Sequence, residues 1–184
     1  MKVNEKKLID TLLKFQEGYS NRDITKIDEF ISELFIDSEE VLIIGTAYDE
    51  WCKGLKQLKE LLYIDWFYWG NFKLDIDNAH IYCTDKFATV STTGILQKEF
   101  QEEKVIKHTL GKIEDVLKSE CNEKEKLLKS LKSISYYLHE ENIGDDVKRR
   151  VRFSAVLNKE EDAWKFVSIH FSYPVAPPTD VKLI

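Results

Sequence analysis

Asp65 stands immediately before four consecutive aromatic residues, in the run Asp65-Trp66-Phe67-Tyr68-Trp69. A carboxyl pressed among rings loses hydration, and its pKa rises because burial penalises the charged form. Such a group can exchange protons near neutral pH. It can take a proton from the carbon next to a carbonyl, provided a hydroxyl such as that of Tyr48 or Tyr68 steadies the resulting enolate. His80, in DNAHIYCT, and His170, in WKFVSIHFSYP, are the other candidate bases. Imidazole titrates in the right range, but as a base it needs an orienting partner. No such carboxylate is identifiable in the sequence, and a histidine on a half-exposed strand is ordinary. Asp65, His80 and His170 are therefore the candidate catalytic residues, and no full catalytic constellation joins them.

Ligand contacts have separate candidates. Four aromatics in a row at a helix end cannot all face one core, so some must line a pocket mouth, a neighbouring layer or a subunit contact. This makes Trp66, Tyr68, Trp69 and the nearby Tyr48 candidate ligand-binding residues. Arg152 shares a strand face with Arg150 and Ser154. Its guanidinium can pair at the surface or clamp a ligand carboxylate. Phe171 belongs to the more apolar of the two faces of the last strand, with Lys165, Val167, Ile169 and Tyr173. Trp164, Phe166, Ser168, His170 and Ser172 alternate with them. This parity places Phe171 inside and puts His170 on an outer face suited to a second subunit, although a pocket role for His170 is the competing reading.

The elements that must hold these residues follow from periodicity. Leu8, Leu12, Phe15 and Tyr19 form the stripe of an amphipathic helix, and Ile24, Ile27, Ile31 and Leu34 form a second. Asn21 or Asp23 can cap that second helix. EEVLIIGTA reads as a short buried strand, and EWCKGLKQLKELLYIDWFYWG as a third helix through Leu55, Leu58 and Leu62. From residue 71 the period becomes two. FKLDIDNAHIYCT, KFATVSTTGILQK, KRRVRFSAVLNK and AWKFVSIHFSYP read as successive antiparallel strands. Between the last two pairs, residues 100–146 carry two helical stripes, Ile106-Leu110-Ile113-Leu117 and Leu127-Leu131-Ile134-Leu138. Asn122 and Glu125 between them approximate a capping box. This segment is expected to be a helical hairpin inserted between strands, burying its stripes against each other, the sheet or a second subunit.

Bulk properties bound the function. A chain of 184 residues suits one domain, and its net charge of −6 argues against a nucleic-acid binder. Cys52, Cys83 and Cys121 have no Cys-x-x-Cys spacing, so no metal site is expected, and a reduced, cytoplasmic setting is. No apolar run approaches the ~20 residues that span a bilayer. No Gly-rich phosphate loop or Gly-x-Ser-x-Gly elbow occurs, and no cofactor is expected.

Three stretches together resemble the nuclear-transport-factor-2-like superfamily, and within it the SnoaL-like branch related to ketosteroid isomerase. IIGTAYDEWCKG is similar to its Gly-Thr, acidic, Gly segment, here Gly45, Thr46, Glu50, Trp51 and Gly54. KFATVSTTGIL resembles its middle strand. VRFSAVLNKEEDAWKFVSIHFSYP resembles its closing hairpin, with Trp164, His170, Ser172 and Pro174. The resemblance implies a single α+β domain over 1–184, a cone-shaped curved antiparallel sheet wrapped on N-terminal helices. It also implies an apolar pocket at the open end and a homodimer through the sheet, with 174–184 as a C-terminal tail. Members include isomerases, cyclases and dehydratases beside non-enzymatic binding domains, so the fold does not choose among them. The expected function is binding of a small apolar or carboxylated molecule, non-enzymatic or accessory. The alternative is a cofactor-independent isomerase, cyclase or dehydratase working by carboxylate- or histidine-mediated proton abstraction.

Overall fold

Helix periodicity early and strand periodicity late become, in the computed structural model, an α+β chain described over residues 3–46, 50–68, 70–99, 102–143 and 146–173. The chain divides into two compact units, Met1–Gln97 with Lys148–Ile184, and Lys98–Val147. In the first unit α1 spans Val3–Asn21, α2 Ile27–Leu34 and α3 Gly54–Tyr68. Asp23 caps the short turn Ile24–Lys26 ahead of α2 by accepting from the Thr25 N–H. Ile27, Ile31 and Leu34 are buried as their spacing requires, but Ile24 is exposed because it sits in that turn, before the helical register begins.

Among the described residues seven strands form one mixed sheet in the order β2-β1-β7-β6-β5-β3, with β4 also paired to β5. They are β1 Leu42–Ile44, β2 Trp51–Lys53, β3 Asn71–Leu74, β4 His80–Cys83, β5 Phe87–Glu99, β6 Asp146–Glu160 and β7 Ala163–Ser172. Three details depart from the sequence expectation. Residues 51–53 pair with β1 as a strand instead of opening α3. The stretch 71–83 is two strands, because Asp75 accepts from the Asn78 side chain and the Ala79 N–H bonds the Ile76 carbonyl, turning the chain. And β1 runs parallel to β7, so the sheet is not wholly antiparallel.

The sheet curls. Strands three apart in a flat sheet lie roughly 14 Å from each other. Yet the rings of Phe72 in β3 and Phe171 in β7, separated by β5 and β6, have centroids 5.7 Å apart. Gly94 in β5 helps bring them together: a methyl there would lie 2.7 Å from the Phe72 ring. The concave side is filled by α1, α2 and α3. Phe15 of α1 lies at its centre, with ring centroids 5.0–6.4 Å from Tyr19, Phe30, Phe35, Phe153, Phe166 and Phe171. The space expected to be a hollow is, among the described residues, largely a ring-packed layer. Polar pins fix α1 over it: the Trp164 indole N–H donates to the Asn4 carbonyl at 3.0 Å, and Gln16 accepts from the Leu74 N–H at 2.8 Å.

The final strand contains the largest correction to the predicted parity. Val156 pairs with Ser168 and Leu157 with Phe166, so Val167 is an extra residue, a β-bulge. Before it, Trp164 and Phe166 point into the core; after it, Ile169 and Phe171 do. A single alternating phase cannot describe this strand.

The second unit holds α4, Glu102–Lys118, packed along α5, Glu123–Ile143. The Asn122 side chain accepts from the Glu125 N–H at 3.0 Å, so the predicted cap forms. Leu110, Leu117, Leu127 and Leu131 of the two stripes, in contrast, are exposed, and the side chain of Leu138 lies outside the described residues.

Phe15→Ala removes the ring common to six aromatic pairs and should cost about 3–5 kcal/mol of stability. Urea unfolding followed by circular dichroism measures this; a loss below roughly 1 kcal/mol would show that the layer does not organise the fold.

Candidate functional site

The predicted site residues separate into two sets. Asp65, Trp66 and Phe171 face the buried ring layer. His80, Arg152 and His170 are exposed on the opposite, outer side of the sheet, opposite Ser91, Ser172 and Ser154 in register. Arg152 is thus placed to meet solvent or a second chain, away from Asp65. Tyr48, Trp69 and the 174–184 tail lie outside the described residues, as does the side chain of Tyr68.

Asp65 occupies a core position of α3 because it continues the stripe Leu58, Leu62 by three residues. It is 4% exposed. Its partner is Tyr19, four residues beyond Phe15 on the buried stripe of α1, whose hydroxyl donates to Asp65 Oδ2 at 2.8 Å. Tyr19 is the functional side chain that the sequence reading left unassigned. It is the last member of a stripe otherwise made of Leu8, Leu12 and Phe15, and the only one with a polar tip. A phenol in that position needs a buried partner.

The electrostatics follow from burial. Desolvation lifts the Asp65 carboxyl to a pKa of about 8; the hydrogen bond from Tyr19 holds it down, and the negative charge of Glu50 lifts it further. Tyr19 is pushed well above its ordinary value by burial and then by Asp65. Cys52 is half-buried, and its thiol pKa is raised by burial, Glu50, Asp65 and Glu60. Glu50 is held over Gly45, whose N–H donates to the Glu50 carbonyl at 2.9 Å; a methyl on Gly45 would lie 1.8 Å from Glu50 Oε2. Only glycine permits that approach.

Around the pair, the Tyr19 ring meets Trp66 edge-on at 6.4 Å and Phe72 at 5.9 Å. The Trp66 indole N–H is buried and finds no acceptor among the described residues. A neutral carboxyl, a phenol and an indole N–H in a ring-lined setting can hold an oxygen of an apolar molecule, or pass a proton to or from it. Among the described residues no group of three His, Cys, Asp or Glu is placed to hold a metal ion, and no helix is long and apolar enough to cross a membrane.

This architecture, helices on the concave side of a curled mixed sheet, is the fold of nuclear-transport-factor-2-like proteins. The chain is similar in structure to a protein of that superfamily from Salmonella enterica serovar Typhimurium, with 14% identity and a TM-score of 0.62 over 96% of this chain and 95% of the other. It is also similar to a protein provisionally named a dehydratase of the same family from Streptomyces avermitilis, at 13% identity and a TM-score of 0.59, covering 93% and 96%. A third, an NTF2-like protein of unknown function from Shewanella oneidensis, gives 13% identity and 0.53 over 91% and 97%. No protein-family model matches the sequence, and no curated protein is significantly similar to it. At these identities the likeness establishes the fold.

The Asp65 pKa has a consequence for stability. An aspartate unfolded at ~3.9 and folded at about 8 leaves the native state binding the extra proton in between. Stability must then fall as pH rises from ~4 towards 8, by up to about 1.4 kcal/mol per pH unit, and level off above. Asp65→Asn should remove that slope, leaving the variant close to the parent at pH 5 and clearly more stable at pH 9. Thermal melts across pH check this; parallel curves would mean that Asp65 titrates normally.

Proposed function

We propose that this domain binds a small apolar molecule carrying a carbonyl or carboxyl oxygen, which enters beside Trp66, Phe30 and Gly18 and parts the ring layer to reach Asp65, Tyr19 and the Trp66 indole N–H as polar anchors. The observation that carries this reading is the placement of a carboxyl, 4% exposed, in hydrogen-bond contact with a phenol among aromatic rings. A buried acid is costly to maintain, and a fully apolar side chain would pack this layer more cheaply. Below its pKa Asp65 is neutral and donates, which suits an oxygen acceptor in a dry setting. Most binding sites of this kind are apolar walls with a few convergent polar groups. A second copy of the chain pairs through the outer sheet face, where Tyr82, Phe87, Ile95 and Val156 are exposed.

The raised pKa favours one further reading of the same residues, proton transfer without a cofactor. As carboxylate, Asp65 takes the proton from the carbon beside the carbonyl, and the Tyr19 hydroxyl, released from Asp65, donates to the enolate oxygen. Returning the proton to a different carbon completes an isomerisation. The dehydratase name given to one structural neighbour is compatible with this chemistry.

The two readings differ in pH dependence. Binding of 2-acetylnaphthalene, an apolar aryl ketone, can be followed by tryptophan fluorescence at pH 6 and pH 9. If Asp65 donates to the ketone, affinity falls roughly tenfold at pH 9, Asp65→Asn binds alike at both, and Asp65→Leu loses binding. Proton abstraction instead requires exchange of the ketone's methyl protons with deuterated solvent, rising with pH through about 8 and abolished by Asp65→Asn. Unaltered binding by Asp65→Leu together with no exchange defeats both.

A further inference from the structure

The second unit exposes a surface that the candidate site does not use. In α4, Thr109 and Val116 are half-buried, and in α5 so are Lys126, Ser130 and Ser133. Their spacing of seven, and of four then three, identifies the sides on which the two helices meet. The apolar stripes lie one residue further along each helix. Ile106, Leu110 and Leu117 on α4 and Leu127, Leu131 and Ile134 on α5 are 37–64% exposed.

One residue is a rotation of about 100°. Because the helices run antiparallel and the rotation is right-handed in both, the two stripes turn to the same side of the pair. Half-buried Ile113 sits on the boundary between the seam and this side. The hairpin is therefore a two-helix layer with small and polar residues in its seam and one continuous apolar face. A hairpin that packed only on itself would place its leucines in the seam and leave the serines outside.

We infer that this face pairs with the same face of a second copy, forming an antiparallel four-helix bundle. Three features select a second copy over a foreign partner. The six stripe residues expose on the order of 600 Å² of apolar surface, close to the ~800 Å² that each partner buries in a standard interface once a polar rim is added. The stripes keep the four-three-four spacing of helices that pack against helices at shallow angles. And the hairpin, residues 102–143, carries eight basic and nine acidic side chains within a chain of net charge −6, so this segment meets its own copy with little net repulsion.

Sedimentation equilibrium of the full chain over a concentration series tests this. The double variant Leu110→Glu, Leu131→Glu should halve the assembly mass, from dimer to monomer, or from tetramer to dimer if the sheet face also pairs. Far-UV circular dichroism should be unchanged, since both positions are solvent-facing in a single chain. The proposal is overturned if the unaltered chain is a monomer at every concentration, which would mean that the face is covered by the chain itself. It is equally overturned if the variant keeps the parent's mass, which would place all association on the sheet. Hydrogen exchange gives an independent reading: α4 and α5 amides should gain protection with concentration in the parent and not in the variant.

Discussion

A single ring holds the larger unit together. Phe15 touches aromatic side chains from α1, α2, the segment that follows α2, and both strands of the closing hairpin, β6 and β7. Its neighbours then link to one another, Phe72 with Phe153 and Phe171, Phe30 with Trp66. This interlock forces strands far apart in the sheet order to approach, and so the sheet must curl. The curl in turn creates an inner side on which a polar pair can be cut off from water. The unusual acidity of Asp65 is a product of that packing rather than of any local motif.

The fold was largely legible in the sequence because helix and strand periods are strong where one face is buried. Tyr19 and Asp65 were legible too, in principle. Tyr19 counts on the stripe of α1 and Asp65 stands out as a carboxyl beside rings; that the two meet is a matter of how α1 packs on α3, which helical periodicity does not carry. What could not be read was which strand faces which way after an irregularity. His170 and Phe171 are on their expected sides, but Trp164 and Phe166 are not, because Val167 interrupts the alternation. Nothing in Phe166-Val167-Ser168 announces a bulge. The three-residue strand β2 was hidden for a different reason: it is too short to show a period and abuts a helix that does.

The glycines in this fold serve approach more than turning. Gly45 lets the Glu50 carboxylate fold back over the backbone near Asp65, and Gly94 lets the Phe72 ring lie on β5. One tunes charge and the other tunes curvature. Both positions belong to stretches that resembled the superfamily on sequence alone, which gives that resemblance a physical basis in close contacts.

The extra residue in β7 also divides the labour along that strand. On the side of Phe166 its carbonyl receives the Ile36 N–H and the strand caps the end of α2; past Val167 the same strand becomes the parallel partner of β1. Excising Val167 would restore a perfect ladder with β6 and bring Trp164, Phe166, Ile169 and Phe171 into one unbroken alternation, all still facing the core; what would be lost is the local bend and twist that a bulge introduces. The irregularity works as a gearbox between two halves of one strand, turning the chain at the point where its neighbour changes from the end of α2 to β1.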